Sequence, residues 1–394
     1  MIFQTIDDKS ECVGIYTDGK FHFDNFPTNL TKTWKFSGSI TDPDVEYAWL
    51  VANGKTLEEC APEELMGDLE AAKRKMVAYQ KSFHIAKIDL NQHCVFDLVP
   101  HDFLMSFCEL KNKITEHVFD NFTKPKNYDH LVGVHKLLSK IEFQRLNLDF
   151  KDCKHLMYSS IGRQTISELV KNYSYIKYNL FGTVTGRLTT SQESFPILTL
   201  RKDFREIMKA SNDFFISLDY NGAEVRTFLD LCEQEQPQED IHLWNMENIF
   251  HEEEDIDVTR ETAKTLFFSW LYNPDSDLIE SGFYDRKKLL DKYYANGYIN
   301  TPHGRTIEVD ERRALNYLIQ STTSDRVLSK AVLIDKILEG TNSFISHIVH
   351  DELVIDFDDN DRHLFSEIKE IFEDGFLSNV SAGKNYGKME KIDI

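Results

Sequence analysis

The sequence has little that would tie it to thiolate-metal, ATP-hydrolysing or membrane chemistry. Its six cysteines (Cys12, Cys60, Cys94, Cys108, Cys153 and Cys232) are scattered, with no CxxC pair and no even framework. That usage is ordinary for a reducing compartment and speaks against a structural zinc site. His251 is followed by Glu252, Glu253 and Glu254 but by no second histidine, so HExxH is not formed and the run reads as a solvated acidic face. No Walker-type glycine loop is present, which removes the usual signal for ATP hydrolysis. Neither a signal peptide nor an apolar run of membrane length is found, so a soluble, intracellular, cytoplasmic protein without a membrane partner is expected. Excess positive charge is missing as well. Against 45 Lys and Arg stand 66 Asp and Glu, a formal net charge of −21. Nucleic-acid binders are usually basic, so this balance argues against a broad nucleic-acid surface and leaves room only for a local positive cleft.

What is present is a pair of carboxylates at the ends of apolar runs. The first run, Phe214-Phe215-Ile216-Ser217-Leu218, ends at Asp219. The second, Phe344-Ile345-Ser346-His347-Ile348-Val349, leads into His350-Asp351-Glu352 and continues as Leu353-Val354-Ile355-Asp356-Phe357. Two apolar runs rich in β-branched residues around a polar tip predict a hairpin with its carboxylates near the turn. Taken singly, each Asp also fits a turn former or a helix cap. If neighbouring strands bring Asp219 and Asp351 together, the two charges repel, and a shared divalent metal is the usual remedy. Metals held that way can support in-line phosphoryl transfer.

Between these runs lies a stripe spaced by four, namely Arg260, Lys264, Phe268 and Tyr272. No Gly or Pro interrupts it, and Asp255, Asp257 and Thr259 supply acidic and capping residues ahead of it. The spacing predicts one face of a helix. Two cations followed by two aromatics match a nucleoside triphosphate, charges for phosphates and rings for sugar and base. The same pattern also describes a solvated basic face running into a buried aromatic one.

Taken in order, the blocks from about Ile141 onward resemble a family A DNA polymerase of the bacterial DNA polymerase I type. Thr183-Val184-Thr185-Gly186-Arg187-Leu188-Thr189-Thr190 is similar to T-x-T-G-R-L-S-S, and Asp219 through Arg226 is similar to D-Y-S-Q-I-E-L-R. Asp240-Ile241-His242 resembles D-I-H. The stripe resembles R-x3-K-x3-F-x3-Y. Glu311 through Asp325 resembles E-R-x-A-x-N-x3-Q-G-T-x2-D, and His350-Asp351-Glu352 closes the set.

The resemblance implies template-directed DNA synthesis, adding dNTPs to a primer 3′-hydroxyl with two Mg²⁺ ions. Asp219 and Asp351 would hold the metals, joined by the Tyr220 carbonyl and, less directly, Glu352. Arg260 and Lys264 would take the phosphates, with Lys264 as general acid toward pyrophosphate. His242, Phe268 and Tyr272 would shape the nucleotide site, and Glu224 would exclude a ribose hydroxyl. Phe268 implies discrimination against chain terminators. Thr185, Arg187, Arg205, Arg312, Asn316, Gln320 and His350 would contact primer–template. Three departures bear on rate and fidelity: Gly222 stands where the family has Gln, Asn273 where Gly follows the Tyr, and Ser321 where Gly follows the Gln. A single-subunit RNA polymerase is the nearest alternative, and a catalytically silent DNA-binding replication factor is a more distant one.

The fold implied is α+β, a right-hand palm, fingers and thumb. Residues 136–182 would form a short thumb, 183–240 and 312–394 the palm, and 241–311 reduced fingers. Only a few dozen residues separate Asp149 from Thr183, far fewer than is usual in the family, so a weak grip on duplex and a processivity partner are expected. The compact build points to a bacteriophage or another mobile replicon. Residues 1–135 would form a small α/β domain. It has short alternating runs (Cys12 to Tyr16, Lys20 to Phe23) and helices over about 62–82 and 102–122. Asp44-Val45-Glu46 has the D-x-E spacing of an exonuclease but precedes its apolar run and lacks a Tyr-x3-Asp partner. A vestigial exonuclease fold or a replacement module, without proofreading, is expected.

Overall fold

The computed structural model describes residues 1–8, 11–23, 25–35, 44–88, 93–172, 174–250 and 258–392. The acidic residues Asp255 and Asp257 and the run from His251 to Glu254 lie outside them. The chain divides into two compact units, Met1–Lys140 and Ile141–Ile394. Among the described residues no helix is long and apolar enough to cross a membrane.

In the first unit, Gln4–Asp8, Glu11–Thr17 and Lys20–His22 pair as a three-stranded antiparallel sheet. The helix expected near 62–82 runs Glu63–Ile85, opening after Pro62 with Glu63 and Glu64 against the positive end of its dipole. The second helix, His101–Asn121, buries Leu104, Cys108, Ile114 and Val118 along one stripe. Ile6, Val13 and Phe21 of the sheet pack with Phe83, Phe96, Val99 and Leu104. Asp44 is exposed in a turn, and Glu46 accepts Lys124 Nζ at 2.5 Å.

The second unit is organised by a five-stranded antiparallel sheet. Its spatial order is Phe344–Val349, Glu352–Phe357, Phe214–Tyr220, Ser378–Gly383 and Glu390–Lys391. The expected hairpin forms, with Val349 opposite Glu352 and His350-Asp351 as its two-residue turn. His350 takes φ +58, the left-handed conformation such tight hairpins require. A bulge between Ile345 and His347 breaks the register. On the central strand, Asp219 lies opposite Glu352 on one side and Asn379 on the other.

Helix Glu311–Ile337 packs against helices Ala223–Leu231 and Phe365–Glu373. Asp310 caps it by accepting the Arg313 N–H at 3.2 Å, and neither Gly nor Pro interrupts its 27 residues. Helix Arg260–Tyr272 starts at Thr259, whose side chain accepts the Thr262 N–H. It buries Ala263, Phe267, Trp270 and Leu271 on one face, which leaves the stripe of four on the other. Pro274 follows the Asn273 cap, where it cannot continue the helix. Phe228, Phe267, Trp270 and Tyr284 form the aromatic centre of this core. Truncating Phe267 or Trp270 to Ala would cost roughly 3–5 kcal/mol each.

Candidate active site

Strand Phe214–Tyr220 carries Asp219 to the sheet's end, where the chain turns through Asn221 and Gly222 into helix Ala223–Leu231. Gly222 has φ +71, and a Cβ there would lie 2.4 Å from Ile241 Cγ2. The residue that departs from the family pattern is therefore the one that lets the Asp240-Ile241-His242 segment close against the strand end. Asp351 arrives from the hairpin turn.

Both carboxyls are held above their ordinary range. Burial, then the neighbouring Asp351 and Glu352, push Asp219 up to about 7, while Lys264 and Arg205 oppose the shift. Burial is also the first cause for Asp351, with Glu224 and Glu352 adding to it. These are two partly desolvated acids with too little positive charge nearby.

A cleft of about 590 Å³ opens at this point. Asp219, Tyr220, His350 and Asp351 line it from the sheet, Glu224 from the following helix, and Arg187 from its loop. His242, Arg260, Lys264, Phe268 and Tyr272 line it from the opposite wall. The rings of Phe268 and Tyr272 stack at 5.8 Å and 17°, with His242 tilted onto Phe268 at 6.3 Å. His242 is lowered to about 4 by burial, so it faces the cleft as a neutral imidazole.

Arg260 and Tyr272 of the stripe are already partnered. Arg260 donates Nε to Asp240 Oδ1 at 3.1 Å and Nη2 to Oδ2 at 2.7 Å, a two-pronged grip, and its Nη1 reaches Glu261 at 2.6 Å. Burial raises the Asp240 carboxyl, but the Arg260 and Asn221 hydrogen bonds overcome it and hold the group well below the carboxylate range. Tyr272 donates to Glu224 Oε2 at 2.5 Å, and Arg187 pairs with Oε1 of the same carboxylate. Lys264 stands exposed on the cleft wall.

The other expected site residues have partners within the fold or lie on its helices. Glu352 accepts Ser217 Oγ at 2.6 Å and Tyr386 OH at 2.7 Å, so both of its oxygens are engaged in bracing the strands. Arg205, expected on primer–template, lies over the Tyr386 ring at 4.6 Å with Glu352 at 3.9 Å. Arg312 is exposed and pairs with Asp275 at 2.5 Å. Thr185 is buried, with its hydroxyl 3.5 Å from that of Thr183. Asn316 and Gln320 lie half-buried on helix Glu311–Ile337.

Three features escaped the sequence reading. Asp240 was noted only as part of a triplet, yet it is the Arg260 partner. Arg305 pairs inside the fold with Asp325 at 2.7 and 3.1 Å. An added Cβ on Gly186 would come within 2.4 Å of the Arg305 guanidinium, so this pair backs the Thr185-Gly186-Arg187 turn. Its available signal was Gly304-Arg305 between short strand runs. Tyr178 donates to the Ile348 carbonyl at 2.6 Å and accepts its N–H at 2.9 Å, pinning the hairpin that carries Asp351, and no local pattern marks it.

No family model matches the sequence. A curated relative, the DNA polymerase of Bacillus phage SP01, is 24% identical over 329 residues, covering 63% of this chain and 35% of the relative. The chain thus spans about a third of that protein's length. Among solved structures, the polymerase domain of Pol1 from M. smegmatis, in complex with DNA primer–template and dNTP, superposes with a TM-score of 0.58. The match covers 73% of this chain and 76% of that one, at 14% identity. The fold is similar to that of this polymerase domain. An antiparallel sheet with acids at one end, faced by a helix bearing cations and rings, is the part of that fold on which the cleft is built.

Proposed function

We propose that this chain is a DNA-directed DNA polymerase of the family A type, extending a primer 3′-hydroxyl with template-selected dNTPs. The observation that carries the reading is the cleft itself. It sets two half-buried, charge-starved carboxylates from one sheet against Arg260, Lys264, Phe268 and Tyr272 from one helix face.

The donor set suits Mg²⁺. No three described His, Cys, Asp or Glu side chains converge into a preformed cage. Two carboxylates and the Tyr220 carbonyl are what magnesium takes from proteins when substrate phosphates and water complete its shell. When bound, the metals supply charge neutralisation at the phosphates and a lowered pKa at the attacking hydroxyl. Asp219 and Asp351 would hold them, with Glu352 as the brace its hydrogen bonds describe.

The remaining work falls to this chain's own side chains. The 3′ oxygen bonds to the α-phosphorus as the bond to pyrophosphate breaks. Arg260 and Lys264 would take up charge on the leaving phosphates, and Lys264 would give the pyrophosphate a proton. Phe268 and Tyr272 form a flat wall for sugar and base. Glu224, held by Arg187 and Tyr272, closes the space where a 2′-hydroxyl would sit. The palm would comprise 183–240 and 312–394, the fingers 241–311 and the thumb 136–182. Among its described residues that last stretch holds the end of helix Tyr128–Glu142, a 3-10 helix over Lys151–Tyr158 and one complete α-helix of 13 residues, Ser160–Asn172. A grip so short supports dependence on a processivity partner. Its acidic exterior supports salt-sensitive DNA binding.

The test is primer extension with Mg²⁺ on four templates that differ in the next base. Addition of only the complementary dNTP, with NTPs rejected, is expected. Extension by NTPs at equal efficiency would move the protein to the RNA polymerases. Binding without extension would make it a silent replication factor.

A further inference from the structure

Arg260 does not meet the cleft alone. Its partner Asp240 is itself held by Asn221, whose Nδ2 donates to Asp240 Oδ2 at 2.8 Å. The Asn221 Oδ1 accepts the Ile241 N–H at 2.8 Å and Arg226 Nη2 at 3.3 Å, so both polar atoms of its side chain bond within this junction. Arg226 is fully buried and donates Nε to the Asn221 carbonyl at 2.7 Å and its two Nη atoms to the Pro237 and Glu239 carbonyls at 2.8 and 2.7 Å. The segment leading to Asp240 is thereby tied to the end of the Asp219 strand. Gly222 completes the fit, since any Cβ there would drive Ile241 away.

We infer that Asn221 is a positioning residue for the incoming triphosphate, acting through Asp240 to set the Arg260 guanidinium relative to Asp219. The inference rests on the polymerase reading above and deepens it. Asp240 alone could pair with Arg260 in several rotamers. With one oxygen also fixed by Asn221 and the other accepting the His242 and Leu243 N–H groups at 3.0 and 3.1 Å, a single orientation remains. The Arg260 fork is then presented at a fixed place on the cleft wall, and the carboxylate stays behind it to order the guanidinium when phosphates arrive. Two chain segments separated by about twenty residues thus act as one element, joined by a side-chain amide.

The test is dNTP binding to the protein on a primed template whose primer ends in a dideoxynucleotide, so that affinity is read without turnover. Asn221→Ala is expected to weaken Mg·dNTP binding about tenfold, the effect of losing one hydrogen bond to a charged group. Asn221→Asp keeps the acceptor for Ile241 and Arg226 but repels Asp240. It should weaken binding at least as much while remaining folded, which covers the case of an unstable Ala variant. In an Arg260→Ala background, Asn221→Ala should add less than twofold, because the route it acts through is gone. In steady state both variants should raise KM for dNTP more than they lower kcat.

If both Asn221 variants bind dNTP within twofold of wild type while Arg260→Ala does not, the relay is wrong and the polymerase reading stands. Additive losses in the double variant would likewise overturn the relay in favour of a general packing role. If the wild-type complex binds no complementary dNTP, the polymerase reading fails and takes the relay with it.

Discussion

The two walls of the cleft are built on opposite electrostatic terms. The sheet wall is fixed by a backbone ladder, with Asp219 locked between Glu352 and Asn379, yet its carboxyls are short of positive charge. On the helix wall, by contrast, Arg260 and Tyr272 already have carboxylate partners. Arg260 is gripped by Asp240, and Tyr272 and Arg187 share Glu224. One wall therefore gains by binding a cation, while the other presents Arg260 backed by Asp240, and the exposed Lys264, to a substrate's phosphates. A metal–triphosphate complex meets both needs at once, which neither wall could do alone.

Short of removing the two carboxylates themselves, that contrast is broken most severely from the helix side. Lys264→Ala should lower single-turnover kcat/KM by about a hundredfold, since it removes a cation and a proton donor at the leaving group. Arg260→Ala should fall in the same range, mostly through KM, because its fork binds ground and transition states alike.

The sheet side gives the next largest effect, and it is one of stability. The Asp219 carboxyl titrates at about 7 in the metal-free fold against 3.8 for a free side chain. Between those values the folded state holds a proton that the unfolded chain has released, so stability falls as pH rises through this window. Asp219→Asn should therefore stabilise the metal-free protein by about 2 kcal/mol at pH 8 and by little at pH 4. Thermal denaturation at both pH values checks this. Added Mg²⁺ should raise Tm for wild type and much less for the variant.

A smaller change separates Glu224 from its partners. Glu224→Ala opens the sugar pocket and frees Tyr272 and Arg187 together, so discrimination between dNTP and NTP should drop by at least tenfold. Competition between the two nucleotides on one primer measures it. The smallest effect belongs to Arg312, whose pair with Asp275 is largely exposed. Arg312→Ala should cost well under 1 kcal/mol in stability. If Arg312 meets a phosphate of the template, the slope of DNA affinity against salt should also lessen by about one charge.

The sequence made the periodic and the local parts of this arrangement legible. Two apolar runs around a polar tip predicted the hairpin under Asp351, and a period of four predicted the face carrying Arg260 and Lys264. Ordered blocks joined them into one site. What stayed hidden was pairing across long separations. Asn221 with Asp240, Arg305 with Asp325, and Tyr178 with Ile348 each depend on segments meeting in three dimensions. No local spacing encodes such a meeting. Glu352 shows the same limit, because its place beside Asp351 says nothing of Ser217 and Tyr386, which engage both of its oxygens. Gly222 read only as a departure until its positive φ and the nearness of Ile241 gave it a purpose.

The most direct measurement is single-turnover primer extension by wild type, Asp219→Asn and Asp351→Asn with Mg²⁺, alongside their affinities for the same primed template. Template-directed extension by wild type is expected. Each variant should lose at least a thousandfold in rate with DNA affinity kept within a fewfold of wild type. Extension by either variant at a rate near that of wild type would contradict the assignment of these two carboxylates as the reacting centre.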